Sequence, residues 1–356
     1  MRIFQVLTTL SFGDAVSNDC VAIKELLKKN GYKTAIYAEN IGKKVTDPDV
    51  KPYNKMPKLK KDDVILYHLS TGTALNLKIK DLNCRKYMIY HNTTPPDFFV
   101  PYSGKLAKLC NNGIEETKAL KDTFDGVFSV SEFNASQLRD FGYTCEMKIR
   151  PILIPFDDYK KEPDKETAEQ MRSDDTKNIL FVGRIAPNKK QEDLISLLYA
   201  YRQMYSDPVR LILAGSPSGM EKYMARLKCY ADSLGLKDIV FTGQISFPKI
   251  LAYLSTADCF VSMSEHEGFC VPLVEAMQFN VPILAYSSTA IPETLNGTGI
   301  LIDSKDPSYA AAHLHEILNN EDLRKKIVAE QSERLKDFSY GNISELFLKQ
   351  LKEFIG

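Results

Sequence analysis

Short runs rich in β-branched and aromatic residues alternate with helix-patterned segments along the whole chain, and this alternation constrains the fold most. A strand followed by a helix and then another strand predicts a parallel sheet that is covered by helices. We expect strands at residues 3–8, 34–38, 64–68, 87–90 and 126–130 in the first half. In the second half we expect them at 178–182, 210–214, 239–242, 259–262 and 282–285. The chain is therefore assigned to the α/β class.

The length of 356 residues favours two domains, because single cores rarely serve so long a chain. A segment rich in Pro, Asp and Lys, 151–166, interrupts the alternation and is the expected linker. We predict a Rossmann-like domain over 1–155, a second over 156–338, and a C-terminal helix over 339–356 that packs back on the first. Doubly wound sheets bind ligands at the carboxyl ends of their strands, so an active site in a central cleft between the domains is expected.

Composition excludes several classes of protein. The apolar run at the N-terminus spans about eight residues, too few for a signal peptide, and no run approaches the roughly 20 residues of a membrane helix. Seven cysteines without a CxxC pair argue against a disulfide framework and against a zinc site. We expect a cytoplasmic protein with reduced, mostly buried thiols.

The charge is divided unevenly between the two halves. Residues 1–155 carry 23 Lys and Arg against 17 Asp and Glu, about +6, and the remainder is correspondingly acidic. Seven lysines fall within the polar segment 43–61, which is predicted to be a loop. A solvated loop is one interpretation, and contact with an anionic acceptor or an anionic membrane surface is the other. We expect no nucleic acid partner.

The most informative motif lies between Ser264 and Glu293. A predicted strand ends before it, and Pro272 stands where a helix begins. The first backbone N–H groups of a helix bind anions well, so a diphosphate would fit at this point. Glu267 and Glu275 flank the helix start and suit hydroxyl-rich ligands, because ionised carboxylates only accept hydrogen bonds.

These two glutamates, with seven residues between them, resemble the E-x7-E motif of retaining glycosyltransferase family 4, which has the GT-B fold. Segments 181–195, LILAGSP, IVFTGQIS and STADCFVSMSEHEGF resemble the same family in the same order. The resemblance implies that Arg184 and Lys189 hold the donor diphosphate, that Glu275 binds the ribose and that Glu267 binds the donor sugar. It also implies a set of pocket-lining residues: Gly268, Phe269, Cys270 and Val271. The family often has Gly where this chain has Lys190 and Cys270.

The first half offers further candidates at the ends of predicted strands. Gly13 lies on the loop after the first strand, where the family lets backbone approach the sugar, and a full G-x-G-x-x-G dinucleotide motif is lacking. Asp14 and Asn18 are candidate acceptor contacts, although helix capping explains Asp14 equally well. His91 follows another strand and matches the family's histidine that contacts the donor sugar.

Three residues at the end of the predicted strand 64–68 are candidates for the acceptor side: Tyr67, His68 and Ser70.

The resemblance implies transfer of a hexose-type sugar, with retention, from a nucleotide-diphosphate sugar to a glycan or lipid-linked acceptor, in bacterial cell-surface polysaccharide assembly. We expect UDP or GDP as the carrier, no cofactor, and no metal site, since a cluster of His and Cys is lacking. Two alternatives stay open. One is a nucleotide-sugar epimerase or hydrolase of the same fold, and the other is a subunit that binds sugar nucleotides without catalysis.

Overall fold

A computed structural model describes residues 1–11 and 13–356 and divides the chain into two compact units. Unit 1 comprises Met1–Asp97, Lys105–Phe156 and Phe338–Gly356. Unit 2 comprises Phe98–Gly104 and Asp157–Asp337. Each unit is built around its own parallel sheet, as the alternation of strands and helices predicts.

Unit 1 contains a seven-stranded sheet in which all neighbours are parallel, in the order β3-β2-β1-β4-β5-β6-β7. Its strands are β1 (Arg2–Leu10), β2 (Lys33–Ile41), β3 (Val50–Pro52), β4 (Val64–Leu69), β5 (Arg85–Tyr90), β6 (Gly126–Ser129) and β7 (Met147–Ile149). Its first helices are α1 (Ala15–Lys29), α2 (Ala74–Lys78), α3 (Gly104–Ala119) and α4 (Glu132–Asp140). Strand β4 is buried along its whole length, as expected where helices cover both faces of a parallel sheet.

Unit 2 contains a six-stranded parallel sheet in the order β10-β9-β8-β11-β12-β13. Its strands are β8 (Lys177–Val182), β9 (Val209–Ala214), β10 (Ile239–Phe241), β11 (Cys259–Ser262), β12 (Ile283–Tyr286) and β13 (Ile300–Ile302). Its helices are α5 (Lys165–Met171), α6 (Gln191–Met204), α7 (Glu221–Ser233), α8 (Phe247–Thr256), α9 (Val271–Gln278), α10 (Ile291–Leu295), α11 (Pro307–Asn319) and α12 (Glu321–Asp337). The last helix of the chain, α13 (Tyr340–Ile355), belongs to unit 1.

Helix α13 completes the core of unit 1. Its Phe347 and Leu351 are fully buried in one cluster with strand residues. The hydroxyl of Tyr87 and the guanidinium of Arg85 each donate 2.6 Å hydrogen bonds to the carbonyl of Phe354, near the end of the helix. A Cβ added at Gly126 would lie 2.7 Å from the Phe354 ring, so only glycine fits there. The C-terminal segment is therefore an integral part of the first sheet's packing.

Two sequence-based expectations need correction. The basic segment 43–61 is not simply a loop, because Val50–Pro52 pairs with β2 as an edge strand; its seven lysines are exposed. Residues Phe98–Gly104 group with unit 2, although the predicted first domain included them. The rings of Tyr102 and Tyr223 meet edge-on, with centroids 5.0 Å apart, which explains the grouping.

The strand orders place one switch point in each sheet, and ligands of open α/β sheets bind at such points. In unit 1 the strand order reverses between the neighbours β1 and β4, so the connections that follow these two strands lead to opposite sides of the sheet. In unit 2 the order reverses between β8 and β11. Four predicted residues follow these strands directly or closely: Gly13, Ser70, Arg184 and Glu267. Topology alone therefore brings Arg184 and Glu267 to one edge of their sheet.

The structure matches the expectation of free thiols, but only three of the seven cysteines are buried, so the expectation of mostly buried thiols is wrong. No helix in the described ranges 1–11 and 13–356 is both long and apolar enough to cross a membrane. All seven cysteines are free thiols. Cys20, Cys259 and Cys270 are buried, whereas Cys229 is exposed.

A buried ion pair lies behind the switch point of unit 1. Asp19 on α1 and Arg150 after β7 are both 0% exposed, and the guanidinium donates two hydrogen bonds, of 2.8 and 2.6 Å, to the two carboxylate oxygens. The backbone N–H of Leu153 donates a third, of 2.8 Å. Burial alone would raise the pKa of Asp19, but Arg150 lowers it below its usual value.

Removing the cation should strongly destabilise unit 1. We expect Arg150→Met to reduce the free energy of unfolding by about 3–5 kcal/mol, because Asp19 would remain as a buried, uncompensated charge. Since the pKa of Asp19 is lowered in the folded state, the benefit of the pair exists at neutral pH and fades as pH falls, so the deficit should shrink in acid. Urea unfolding followed by circular dichroism at several pH values measures this.

The matched control is Arg139→Met, since Arg139 pairs with Glu132 on the exposed surface of the same unit. We expect that change to cost at most about 1 kcal/mol. An Arg150→Met protein as stable as the control would contradict the role of the buried pair.

Candidate functional site

The loops that follow β8 and β11 meet through an ion pair between two predicted site residues. Lys189 ends a short 3-10 helix, Pro187–Lys189, and its Nζ lies 2.6 Å from Oε2 of Glu267. Glu267 is only 8% exposed, and its backbone N–H donates a 2.9 Å hydrogen bond to Oγ1 of Thr289. The loops are also joined through backbone, since the N–H of Glu265 donates to the carbonyl of Asn188 at 2.9 Å.

A second cation, Lys305, holds the same loop from the other side. Its Nζ lies 2.7 Å from Oε1 of Glu265 and 2.8 Å from Oδ2 of Asp193, and it donates to the carbonyl of Met263 at 3.1 Å. Burial alone would raise the pKa of Glu265, but Lys305 and then Lys190 lower it below its usual value. Sequence reasoning missed Lys305 and Glu265, because neither stands out in a recognisable motif.

His266, between Glu265 and Glu267 in sequence, is buried and neutral. Burial and the neighbouring Lys189 lower its pKa to about 4, and Glu267 opposes that shift. Its carbonyl accepts a 3.1 Å hydrogen bond from Nδ2 of Asn188, which is itself buried. The ring lies near Phe98, with centroids 6.4 Å apart. The loop 265–270 is thus held by many partners before any ligand binds.

Two residues of these loops adopt left-handed backbone conformations although neither is glycine. Lys190 has φ 53° and Cys270 has φ 73°, and each immediately precedes a helix, α6 and α9 respectively. A Cβ in this region costs roughly 1–2 kcal/mol. Glycine, which the resemblance noted in the sequence implies at both positions, would adopt this backbone more easily. Helix α9 begins at Val271, so Pro272 is its second residue and not its first.

Glu275 does not share the ion pair of Glu267. It lies within α9, and its Oε1 accepts a 2.6 Å hydrogen bond from the hydroxyl of Tyr159. Burial raises the pKa of Glu275, and the donation from Tyr159 opposes that rise. The ring of Tyr159 meets Phe247 and Phe279 edge-on. Sequence reasoning missed Tyr159, because it lies in the polar linker where no motif marks it.

Arg184 is exposed on the loop after β8. Its carbonyl accepts a 3.1 Å hydrogen bond from Nε2 of the buried Gln191, which fixes the backbone of the loop. No ion pair to its guanidinium is found within residues 1–11 and 13–356. The other pocket candidates of unit 2 follow Glu267 directly: Gly268, half-buried, Phe269 and Cys270, buried, and Val271, half-buried.

In unit 1, His91 lies at the carboxyl end of β5 with its side chain 2% exposed. Its Nε2 lies 2.9 Å from Nδ1 of His68, and Nε2 of His68 lies 2.8 Å from Oε1 of Gln5. Burial lowers the pKa of His91 to about 4 and that of His68 well below the usual value. Both rings are therefore neutral at physiological pH.

The structure corrects the acceptor-side role predicted for two strand residues. Tyr67 is a core residue with no exposure, and its hydroxyl donates to Oδ1 of Asn76. His68 is 1% exposed and has both ring nitrogens paired, so it lies behind His91. Strand β4 is covered on both faces, and this explains why neither side chain reaches solvent.

The remaining candidates of unit 1 lie at its surface. Asp14 caps α1 by accepting from the N–H of Ser17 at 3.0 Å, which confirms the capping alternative. Gly13 has φ 81° with open space around it, and Asn18 is exposed. Ser70 is half-buried.

One group of possible metal ligands occurs in the described ranges: Asp19, His68 and His91. Their candidate ligand atoms lie within 4.8 Å of one another. The guanidinium of Arg150 already contacts both oxygens of Asp19, and His68 Nδ1 is engaged by His91. A cation placed among them would meet the positive charge of Arg150, so the group fits a hydrogen-bonded cluster better than a metal centre.

Comparison of sequences identifies a matching family and several relatives. Residues 163–334 match the family described as Glycosyl transferases group 1. The chain is 25% identical over 218 residues to a GDP-mannose-dependent alpha-(1-6)-phosphatidylinositol monomannoside mannosyltransferase of Mycobacterium tuberculosis, covering 58% of this chain and 55% of the relative. It is 25% identical to O-antigen chain mannosyltransferase B of Escherichia coli, covering 63% and 60%. The chain thus spans little more than half the length of these curated relatives.

Comparison of structures extends over nearly the whole chain. Anabaena Alr3699/HepE, solved in complex with UDP-glucose, superposes with a TM-score of 0.77 at 15% identity, covering 99% of this chain and all of that one. A glycosyltransferase from Rickettsia africae superposes with a TM-score of 0.74 at 16% identity, covering 99% and 98%. At such identities the likeness shows the fold. Residues 163–334 thus match the group 1 glycosyltransferases, and the chain as a whole has the GT-B fold.

Proposed function

We propose that the protein transfers a hexose-type sugar from a nucleotide-diphosphate sugar to a glycan or lipid-linked acceptor, with retention of anomeric configuration. The observation that carries the proposal is the Lys189–Glu267 ion pair at the switch point of the second sheet. It joins a cation suited to phosphate with a carboxylate suited to hydroxyls, which are the two groups that a sugar phosphate presents.

The diphosphate would bind to Arg184, Lys189 and the start of α9. Departure of a nucleoside diphosphate develops negative charge, and cationic donors placed in advance stabilise it. The side chain of Cys270 does not cap α9, so the helix start has room for an anion as its cap. Backbone of Gly268, Phe269 and Val271 would line the pocket.

The ion pair would act as a placeholder for the substrate. With Lys189 Nζ 2.6 Å from Glu267, each charge is neutralised by the other before binding. A phosphate oxygen would compete for the ammonium group, and Glu267 would then accept hydrogen bonds from sugar hydroxyls. His91 would contact a sugar hydroxyl as well.

Glu275 would bind the ribose hydroxyls of the nucleotide. Tyr159 holds one of its carboxylate oxygens, and no second side-chain donor to Glu275 is found in the described part of the chain. The other oxygen is therefore available as an acceptor. A carboxylate with one oxygen fixed is pre-oriented, which lowers the entropic cost of binding.

The chemical step would be a front-face substitution that uses neither metal nor cofactor. The leaving phosphate oxygen would assist deprotonation of the acceptor hydroxyl, while Arg184 and Lys189 stabilise the leaving group. Surface groups of unit 1 are the candidates for acceptor contacts: the exposed Asp14 and Asn18 and the half-buried Ser70. The exposed lysines of 43–61 would meet an anionic acceptor or, at the inner face of the membrane, anionic lipid.

The carrier nucleotide is proposed to be UDP or GDP, and the product a bacterial cell-surface glycan made in the cytoplasm. Two of the relatives are mannosyltransferases by name, one of them GDP-mannose-dependent, and one structural neighbour was solved with UDP-glucose. These names support both carriers. Thermal-shift screening against UDP-, GDP- and ADP-sugars separates them.

Release of nucleoside diphosphate from UDP-glucose and GDP-mannose, with and without glycan and lipid acceptors, tests the reaction itself. Release that depends on acceptor supports transfer, whereas release without acceptor indicates a hydrolase or epimerase. Binding without turnover across the acceptor panel indicates a non-catalytic subunit. NMR of the product's anomeric proton tests retention, and activity that requires Mn²⁺ after EDTA treatment would contradict the metal-independent step.

We expect Arg184→Ala to lower the turnover rate by about 10²–10³, corresponding to roughly 3–4 kcal/mol of lost leaving-group stabilisation. Arg184 is exposed, so folding should be unaffected. Steady-state diphosphate release measures the effect. The control is Arg202→Ala, which removes an exposed arginine of the same unit that pairs with Asp238. Full turnover by Arg184→Ala would remove this residue from the mechanism.

Tyr159→Phe should destabilise unit 2 in a pH-dependent way. The phenyl ring preserves the packing, but the carboxylate of Glu275 loses its donor, at a cost of about 1–3 kcal/mol. Burial already raises the pKa of Glu275, and this loss raises it further. The cost is therefore complete when Glu275 is ionised at high pH and declines as pH falls through its pKa.

Thermal unfolding at pH 5 and pH 8 checks this expectation, with a larger loss at pH 8. Tyr199→Phe is the control, because Tyr199 is an exposed tyrosine of the same unit. A loss of equal size at both pH values would show that the hydrogen bond to Glu275 is not the cause.

A further inference from the structure

A chain of hydrogen bonds runs from the core of unit 1 to His91, and its direction can be worked out from its inner end. Nε2 of Gln5 lies 2.8 Å from the carbonyl oxygen of Cys20. A carbonyl oxygen only accepts, so the amide NH₂ of Gln5 must point to it. Oε1 of Gln5 then faces Nε2 of His68, at 2.8 Å. The orientation of the glutamine is therefore fixed by backbone.

The orientation of Gln5 fixes which ring nitrogens of the two histidines carry protons. Because Oε1 of Gln5 only accepts, Nε2 of His68 must carry the proton. His68 is buried and neutral, so its Nδ1 is bare and accepts from Nε2 of His91 at 2.9 Å. The carboxylate of Asp19, 4.0 Å from the same Nε2, also favours a proton there. The planes of the two rings are 13° apart, which suits a bond between in-plane nitrogens.

The outer end of the chain is an acceptor without a partner. With its proton on Nε2, neutral His91 has a bare Nδ1. This atom is buried and has no hydrogen-bond partner in the described ranges. An unpaired buried polar atom is costly, and native proteins rarely keep one without a reason. A ligand group that donates a hydrogen bond would satisfy it, whereas a phosphate oxygen would not.

We propose that Gln5 and His68 are positioning residues that hold His91 as a hydrogen-bond acceptor for a hydroxyl of the transferred sugar. The inference rests on the proposed function for the identity of the ligand. It adds the polarity of the contact: His91 accepts from the sugar through Nδ1. It also assigns a role to two buried polar residues that the proposed reaction does not otherwise use.

The tautomer can be tested without any ligand. In protein labelled with ¹⁵N-histidine, long-range ¹H–¹⁵N spectra distinguish protonated from bare ring nitrogens, and His91→Asn assigns the signals among the five histidines. We expect His91 to be protonated at Nε2 and bare at Nδ1 at pH 7. A proton on Nδ1 in the wild-type protein would overturn the proposal. This result does not depend on the proposed function.

The polarity can be tested with deoxyfluoro analogues of UDP-glucose and GDP-mannose. Fluorine accepts but does not donate, so an analogue fluorinated at the position that faces His91 should bind roughly tenfold more weakly than its parent. Gln5→Met removes the oxygen that fixes the proton on Nε2 of His68. We expect this variant to have both tautomers of His91 and a smaller difference in affinity between the parent nucleotide sugar and its fluorinated analogue.

Discrimination and tautomer that are unchanged in Gln5→Met would overturn the positioning role. Deoxyfluoro analogues that all bind the wild-type protein as tightly as their parent nucleotide sugars would overturn the polarity. Failure of both parent nucleotide sugars to bind would count against the proposed function instead, and the NMR result would still decide the direction of the chain. The two failures are therefore distinguishable.

Discussion

The pairing of non-consecutive parallel strands is the constraint on which the candidate site depends. β1 pairs with β4, and β8 pairs with β11, so each sheet has one position where the strand order reverses. Loops that are far apart in sequence then meet at the carboxyl ends of neighbouring strands. In unit 2 this explains how Lys189 and Glu267 come within 2.6 Å although 78 positions separate them. The chemistry follows from the topology, since both residues occupy loops and are held by backbone contacts between those loops.

The ion pairs of the two units differ in how deeply they are buried. In unit 1, Asp19 and Arg150 are fully buried and are joined by two hydrogen bonds. Such a pair adds little net stability compared with apolar residues, but it strongly penalises any arrangement that separates it. In unit 2, the side chain of Lys189 is 20% exposed and that of Glu267 is 9% exposed, so their ion pair lies closer to solvent. Under the proposed function, a ligand would exchange with the Lys189–Glu267 contact, whereas the buried pair of unit 1 would stay intact.

Much of this arrangement could be predicted from sequence, and the omissions have physical causes. All ten predicted strands exist, whereas β3, β7 and β13 were missed; each of these has three residues, and β10 is the one strand of that length that was predicted. Motif reasoning located Lys189 and Glu267, but it could not find Tyr159, whose contact with Glu275 spans 116 positions. Tyr67 was misassigned because the end of a strand in sequence does not reveal that helices cover both of its faces. The alternation of residue types predicts where a strand or helix lies, but only the packing of the folded protein determines which of its side chains are exposed.

The left-handed residues beside the ion pair show how the site tolerates departures from its family. Lys190 and Cys270 hold backbone that glycine adopts more easily, at about 1–2 kcal/mol each. Surrounding contacts compensate: Lys190 lies 3.4 Å from the carboxylate of Glu265, and Cys270 is buried. The backbone path of both loops is therefore kept by packing and charge where the family relies on glycine. Because a phosphate would be bound by backbone N–H groups and by Lys189, preserving that path preserves the anion site even though the side chains differ.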